Sequence, residues 1–309
     1  MQAIVIGNFD GVHRGHQALF QLAREAVGSG RVVAVTFEPL PIAVLQPKLP
    51  VIRLTPSADR ARLLRERCGT DDLLELMPSA QLLGRNPQEF IADLYARVRF
   101  DVVVEGSDFR FGHGRSGSLD TLRELGATFG FRVIEAPVVS INLFDGTNVQ
   151  ARSSVTRDLL AQGRVHDAAR VLGRAYELRC LTTRGDQRGR TIGWPTMNLN
   201  TAGLVLPADG VYSGEATLPD GRTAIAAISM GTKPTFGESA RTCETTLLQR
   251  DGTPLSLPLD WYDFPLALRF HQWIRGQVRF SGVETLLAQM ELDRAAVMLH
   301  ATQGTDSLG

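Results

Sequence analysis

A chain of 309 residues exceeds one comfortable hydrophobic core, so two domains are the expectation. Its 33 basic and 33 acidic side chains cancel, which excludes a global field that would hold nucleic acid or an anionic membrane and leaves function to local sites. The three cysteines, Cys68, Cys180 and Cys243, lie far apart without C-x-x-C spacing, so neither a disulfide framework nor a zinc site is indicated and a reduced, cytoplasmic setting is expected.

The apolar run Ala3-Ile4-Val5-Ile6 reads as a first strand, and a strand pattern rather than a basic leader opens the chain. A glycine turn follows, then a helical pattern to about Val27, a second strand Arg31-Val32-Val33-Ala34-Val35-Thr36-Phe37, and a loop with a helix. Asp101-Val102-Val103-Val104 and Phe131-Arg132-Val133-Ile134 are strands of the same kind, with a helix over 118–125 between them. Strands separated by helices predict a parallel sheet covered on both faces. Residues 153–172 read as a capped pair of helices: hydroxyls precede Arg157-Asp158-Leu159-Leu160, Gly163 interrupts, and the pattern resumes before Gly173. Beyond Gly173 the texture changes. Short runs such as Gly210-Val211-Tyr212-Ser213-Gly214 and Thr223-Ala224-Ile225-Ala226-Ala227-Ile228-Ser229, between Gly, Pro and Asp turns, predict an antiparallel barrel or sandwich, and a last helix covers 283–300. The boundary is placed near Gly173, giving domains 1–173 and 174–309, with 304–309 as a frayed tail. No apolar run reaches the ~20 residues that a bilayer span requires.

The turn after the first strand carries the first chemistry. Gly7-Asn8-Phe9-Asp10-Gly11-Val12-His13-Arg14-Gly15-His16 places two histidines three residues apart at the positive end of a helix, beside glycines that let a phosphate approach the backbone. Such a cradle stabilises the charge of a nucleoside triphosphate during transfer. It also sits where an open parallel sheet has its ligand crevice. The Gly-Lys-Ser/Thr ending of a Walker loop is absent.

The string G-x-F-D-G-x-H-x-G-H resembles the signature of the adenylyltransferase half of bacterial bifunctional riboflavin kinase/FAD synthetases. The resemblance implies an α/β architecture: an N-terminal Rossmann-like nucleotidyltransferase domain with a parallel sheet, followed by a C-terminal antiparallel β-barrel kinase domain with a terminal helix. It further implies in-line attack at the α-phosphorus of ATP with loss of pyrophosphate, chemistry in which positioning and electrostatics dominate. His13 and His16 then stabilise the transferring phosphate, while Gly7, Asn8, Phe9, Asp10 and Gly11 shape the cradle. Residues 106–117, Gly-Ser-Asp-Phe-Arg-Phe-Gly-His-Gly-Arg-Ser-Gly, resemble the family's G-x-D-F-x-F-G-x-x-x-x-G loop on the flavin and nucleotide side, which assigns Asp108, Arg110 and Phe111 there. Ser153-Ser154-Val155-Thr156-Arg157 stands where the family has S-S-T-x-I-R: Ser153 fits the second serine, Arg152 and Ser154 depart, and Arg157 is the phosphate clamp, since a guanidinium bridges two oxygens.

A second motif spans 185–198 and resembles G-x-x-x-G-x-x-x-G-F/W-P-T-x-N of the riboflavin kinase barrel, with Trp194 at the aromatic position. Gly185, Gly189, Arg190, Gly193 and Pro195 then form a flap over ATP phosphates, and the Thr196 hydroxyl and Asn198 carbonyl offer hard oxygens to Mg²⁺. Residues 207–212 resemble P-x-x-G-V-Y and 231–236 resemble G-x-x-P-T-F. Glu244 falls at the place of the carboxylate that accepts the riboflavin 5′-hydroxyl proton, and Arg275, in a stretch similar to I-R-x-E-x-K-F, at a flavin-binding position.

The chain departs from the family at Leu40, where T-F-D-P-H-P has histidine, at Thr246 and Gln249, which replace the histidine and aspartate of E-x-H-L-L-D-F, at Asp260-Trp261-Tyr262-Asp263 against D-L-Y-G after a longer segment, and at Gln277 for a glutamate. The implied activity is phosphorylation of riboflavin to FMN in the barrel and adenylylation of FMN to FAD in the first domain, with ATP as co-substrate and Mg²⁺ in both steps. Small molecules are the expected partners, without nucleic acid or membrane, on a monomer or weak homo-oligomer. Two alternatives stand beside it: an adenylyltransferase whose second half is a weakened, flavin-binding module, and a flavin-sensing or flavin-storing protein.

Overall fold

The computed structural model describes residues 1–184, 194–232, 241–255 and 263–303. The chain divides into two compact units, one of Met1–Asn142 with Asn148–Ser153, the other of Leu143–Thr147 with Ser154–Gly309.

In the first unit, β1 (Gln2–Ile6), β2 (Arg31–Phe37), β3 (Asp72–Leu76), β4 (Val102–Gly106) and β5 (Arg132–Ala136) form one sheet in the order β3-β2-β1-β4-β5, every neighbouring pair parallel. The side-chain period of two sends Ala3 and Val5 to one face and Ile4 and Ile6 to the other, and both sets are buried because helices cover both faces. On the first face α1 (Arg14–Val27) lays down Phe20, Ala23 and Val27, and α3 (Ser57–Cys68) adds Leu63 and Leu64. On the second, α5 (Pro87–Arg97) contributes Phe90, Ile91 and Leu94 and α6 (Leu119–Phe129) Leu122 and Leu125. A side chain such as Phe20, fully buried, contributes about 1.5–3 kcal/mol relative to exposure.

The sheet's chain order reverses at β1, which has β2 on one side and β4 on the other, and a ligand crevice is expected outside the carboxyl ends of those strands. Between β2 and β4 the structure holds more than the single helix read from the sequence: β3, α3, α5 and the short helices α2 (Pro41–Leu45) and α4 (Ala80–Leu83). Asp-Leu-Leu-Glu-Leu in β3 lacks β-branched residues and is a strand by its pairing with β2. Helix α6 outruns the expected 118–125 and stops at Gly130, which takes the left-handed conformation; its start at Ser118 is a capping box with Thr121. A small antiparallel pair, β6 (Ser140–Asn142) and β7 (Asn148–Gln150), follows β5.

The second unit contains α7 (Ser153–Ala161) from Ser154 on, α8 (Val165–Leu172) ending at Gly173, and a closed antiparallel barrel. Its strands are β8 (Tyr176–Thr183), β9 (Met197–Leu199), β10 (Gly210–Thr217), β11 (Thr223–Thr232), β12 (Arg241–Leu248) and β13 (Pro265–Arg275), in the order β10-β11-β12-β9-β8-β13. Tyr176, Leu178, Tyr212, Ile228, Met230, Cys243, Leu268 and Phe270 are fully buried. Closure leaves no free sheet edge, so short strands such as β9 keep their backbone groups paired on both sides. Helix α9 (Val283–Gln303) covers the barrel through Val297, Met298, Met290 and Leu287, packed with Trp194 and Leu248. Residues 143–147 pack on α8: the Phe144 ring stacks on His166 at 3.9 Å, and Phe144 N–H donates to Asp167 Oδ1 at 2.8 Å.

Candidate active sites

At the carboxyl end of β1 the chain turns hard. Phe9 (φ 49°), Gly11 (φ 88°) and Val12 (φ 41°) all take the left-handed region, the first and last at a steric cost of about 1–3 kcal/mol each. The turn is pinned from several sides. Gly7 N–H donates to Val35 O at 2.9 Å, and the Asp10 carboxylate, 8% exposed, accepts the backbone N–H of Leu54 at 2.9 Å and of Thr55 at 3.1 Å. Ser153 Oγ donates to Asp10 O at 2.8 Å, so its hydroxyl anchors the turn. Asp10 therefore shapes the cradle from behind rather than lining it.

His13 caps α1: its Nδ1 accepts the His16 N–H at 3.3 Å, and its ring stacks on that of His16 with centroids 3.6 Å apart. Phe9, buried, stands edge-on to the His16 ring at 5.3 Å and props it. Gly15 makes this start possible, since a Cβ there would lie 2.7 Å from Ala151 O. The first turn of α1 holds no acidic residue, so nothing there offsets the positive end of the helix beside the two imidazoles.

A cavity of about 690 Å³ opens beside the cradle, in the size range of small-ligand sites. Gly7 and Asn8 line it. Asp108, Phe109, Arg110 and Phe111 line it as well, so the first residues of the cradle, though not His13 or His16, share this space with the 106–117 loop. Phe37, Phe90, Leu82 and Leu83 supply further apolar wall, and His113 and Arg115 a polar rim. Phe109 and Phe111 stack at 5.4 Å, and Phe111 exchanges both backbone hydrogen bonds with Gly117, which closes the loop. Asp108 pairs with Arg152 at 3.1 Å; exposed Arg110 donates to Phe109 O at 2.6 Å. Leu40, at the position of the family's histidine, is buried at the start of α2.

Two charged groups of this unit escaped the sequence reading. Arg60, 2% exposed, donates to Glu38 Oε2 and Glu75 Oε1, each at 3.0 Å, and reaches the carbonyls of Asn8 and Phe37, tying the cradle to the ends of β2 and β3. Burial works to raise the Glu38 carboxyl, but the Arg53 and Arg60 guanidiniums outweigh it and hold it below the usual range. Glu105, 2% exposed on β4, accepts Ile6 N–H at 2.6 Å; burial, with the Asp108 charge, pushes its carboxyl well above the usual range. A lone acid at the end of the Val-Val-Val run was the available signal.

In the second unit Arg157 lies half-buried on α7. On the barrel, register brings Thr183, Asn198, Glu244 and Ser229 into one row across β8, β9, β12 and β11. The adjacent row, Thr182, Leu199 and Cys243, is buried, so the four polar residues share the outward face. Asn198 and Glu244, expected to serve one reaction, are thus direct cross-strand neighbours. Trp194 is buried against Leu248 and Val297, and Pro195 and Thr196 are half-buried. Gln277 donates to Met230 O at 2.6 Å, one residue from Ser229. Arg275 is gripped by Asp293 through Nε–Oδ1 at 2.7 Å and Nη2–Oδ2 at 2.6 Å. Gly185, Gly189, Arg190 and Gly193, residues 233–236 and residues 260–262 lie outside the described residues.

A parallel-sheet unit with a histidine pair at its switch point, joined to a closed barrel with an Asn–Glu pair across two strands, defines a phosphate-transfer protein of two modules. Residues 1–148 match the family described as FAD synthetase and residues 172–300 the family described as riboflavin kinase. The bifunctional riboflavin kinase/FMN adenylyltransferase of Escherichia coli strain K12 is 33% identical over 300 residues, covering 94% of this chain and 90% of that protein, and the one from Pseudomonas fluorescens is 33% identical over 295 residues. The crystal structure of a macrolide-efflux protein from Streptococcus pneumoniae superposes with a TM-score of 0.83 at 28% identity, over 96% of this chain and 93% of that one. Among the described residues, no helix is long and apolar enough to cross a membrane. The chain belongs to the bifunctional riboflavin kinase/FMN adenylyltransferase family.

Proposed function

We propose that this chain makes FAD from riboflavin in two ATP-consuming steps, one in each module. In the barrel, the Glu244 carboxylate accepts the proton of the riboflavin 5′-hydroxyl as that oxygen attacks the γ-phosphorus of ATP, leaving FMN and ADP. In the parallel-sheet module an FMN phosphate oxygen attacks the α-phosphorus of a second ATP and pyrophosphate leaves, while His13, His16 and the N–H groups opening α1 stabilise the developing charge. The apolar and aromatic wall of the cavity takes a flat ring system, with Asp108, Arg110 and Phe111 on its flavin and nucleotide side. Arg157 acts as a phosphate clamp and Arg275 on the flavin side of the barrel. The functional boundary falls near Gly173.

Mg²⁺ fits the donors at the barrel site. The Thr196 hydroxyl and Asn198 carbonyl are neutral hard oxygens, Asn198 lies across from Glu244, and Mg²⁺ characteristically takes few protein ligands and completes its shell with phosphates and water. When bound, it neutralises phosphate charge. A cytoplasmic, monomeric or weakly self-associating enzyme with small-molecule partners accords with the balanced charge.

The observation that carries the reading is the Asn198–Glu244 register: the two polar residues proposed for riboflavin phosphorylation are cross-strand neighbours, although the family's histidine and aspartate positions nearby have changed. Incubation with riboflavin, ATP and Mg²⁺ followed by chromatography tests it: FMN and then FAD are expected, and FAD from supplied FMN without any FMN from riboflavin would leave only the adenylyltransferase.

A further inference from the structure

Strands β1 and β4 pair at Ala3–Val102 and Ile4–Val103 and then part, while β4 goes on pairing with β5 as far as Gly106–Ala136. At the parting point the β1 backbone still has an N–H to satisfy on the β4 side, that of Ile6. Glu105 Oε1 takes it at 2.6 Å, from a residue 99 positions away. On the β2 side the next N–H, that of Gly7, is held by a backbone carbonyl, Val35 O at 2.9 Å. The end of β1 is therefore gripped by main chain on one side and by a side chain on the other.

The difference matters for spacing. A backbone acceptor would keep the strands at the ladder distance of about 4.8 Å, whereas a glutamate side chain inserts its own length between them. Ile6, Gly7 and Asn8 line the cavity, and so do Asp108 to Phe111, which follow Glu105 by three to six residues. Glu105 thus ties the strand that leads into Ile6, Gly7 and Asn8 to the strand that leads into the 106–117 loop.

We propose that Glu105 is a positioning residue for adenylyl transfer: by bonding Ile6 N–H across the gap between β1 and β4, it sets the separation of the cradle from the 106–117 loop. The proposal rests on the assignment of FMN adenylylation to this module. It requires an acceptor at that reach. Glutamine keeps both acceptor and length, aspartate keeps the carboxyl but shortens it by a methylene, and valine fills space without an acceptor.

Steady-state FAD formation from FMN and ATP, with riboflavin phosphorylation by the same preparations as an internal control, separates the cases. Glu105→Gln is expected within a few-fold of wild type, while Glu105→Asp and Glu105→Val lose kcat by on the order of tenfold to 10²-fold, as a displacement of about 1 Å produces. Riboflavin phosphorylation stays unchanged in all three, so a folded protein is assured by its own second activity. If Glu105→Val does not fold, Glu105→Asp against Glu105→Gln carries the test alone. Equal FAD formation by wild type, Glu105→Asp and Glu105→Gln would overturn the proposal, as would loss in Glu105→Gln equal to that in Glu105→Asp. A wild-type chain that makes no FAD would instead overturn the functional reading, and the proposal with it.

Discussion

The His13 and His16 rings stack 21° from parallel, and the same His13 offers its Nδ1 to the His16 backbone N–H. That bond selects the neutral tautomer of His13 with its proton on Nε2, which makes Nε2 the donor for an anionic oxygen. The pair is a single structural unit, because the cap that orients one ring also starts the helix that carries the other.

Replacing His16 by Ala removes one member of this pair and the ring that Phe9 props. FAD formation from FMN is expected to fall by about 10²–10³-fold in kcat, the range for loss of one preorganised donor. FMN formation from riboflavin should be unaffected. Both rates can be read from one chromatogram, and parallel loss of both in a folded protein would contradict two separate sites.

Glu244→Gln and Asn198→Ala should produce the reverse pattern. Removing a general base costs typically about 10²–10⁴-fold, so riboflavin phosphorylation should drop into that range while FMN supplied directly is still adenylylated. Chelating Mg²⁺ should stop both reactions, and adding it back should restore them.

Glu105 makes stability depend on pH. Burial, reinforced by the Asp108 charge and only partly offset by the Ile6 N–H bond, raises its carboxyl well above the ordinary 4.5. Its partner on β5, Glu135, is held by Arg123 at 2.6 Å. Below about pH 4.5 the group is protonated in folded and unfolded chains alike, and its favourable contribution is complete. As pH rises further the unfolded chain releases a proton that the folded chain keeps, so stability falls until the folded carboxyl itself ionises, by about 1.4 kcal/mol per pH unit. Glu105→Gln abolishes that loss. Its melting temperature relative to wild type should climb as pH rises above the ordinary carboxyl value of 4.5, and parallel curves in calorimetry would refute the assignment.

The Arg275–Asp293 pair joins β13 to α9 through two short bonds, with the Asp293 side chain 10% exposed. Asp293→Ala leaves a half-buried guanidinium without its carboxylate and should destabilise the barrel by about 3 kcal/mol. Arg275 would also lose its orientation, so the riboflavin KM is expected to rise more than the ATP KM. An unchanged melting temperature would show that the pair contributes nothing to the fold.

Much of the first module was legible along the chain. Ile4 to Ile6 and Val32 to Val35 declare buried parallel strands by their unbroken apolar runs, and Ser118 opens α6 by capping chemistry that acts within four residues, although the helix runs on past the expected end at 125 to Gly130. The strand β3 was not legible, because Asp-Leu-Leu-Glu-Leu has no local strand signal and depends on β2 for its partners. No local signal separates Phe37, Phe90 and Leu82 from ordinary core residues; only the packing of helices on one face of the sheet makes them part of a cavity lining. Nothing local in the sequence marks Arg60, which burial places on Glu38, Glu75 and the Asn8 carbonyl.

The sequence by itself determined the chemistry offered: two histidines after a glycine turn, a Thr-x-Asn segment, and a change from alternating helices and strands to short antiparallel strands beyond Gly173. These signals are local, set by φ preferences, caps and periodicity within a few residues. Only the tertiary structure decided which groups meet, namely Asn198 with Glu244, Asp10 with Leu54 and Ser153, and Glu105 with Ile6. Those contacts join residues tens of positions apart or more, and strand register and burial, not neighbouring sequence, select the partners.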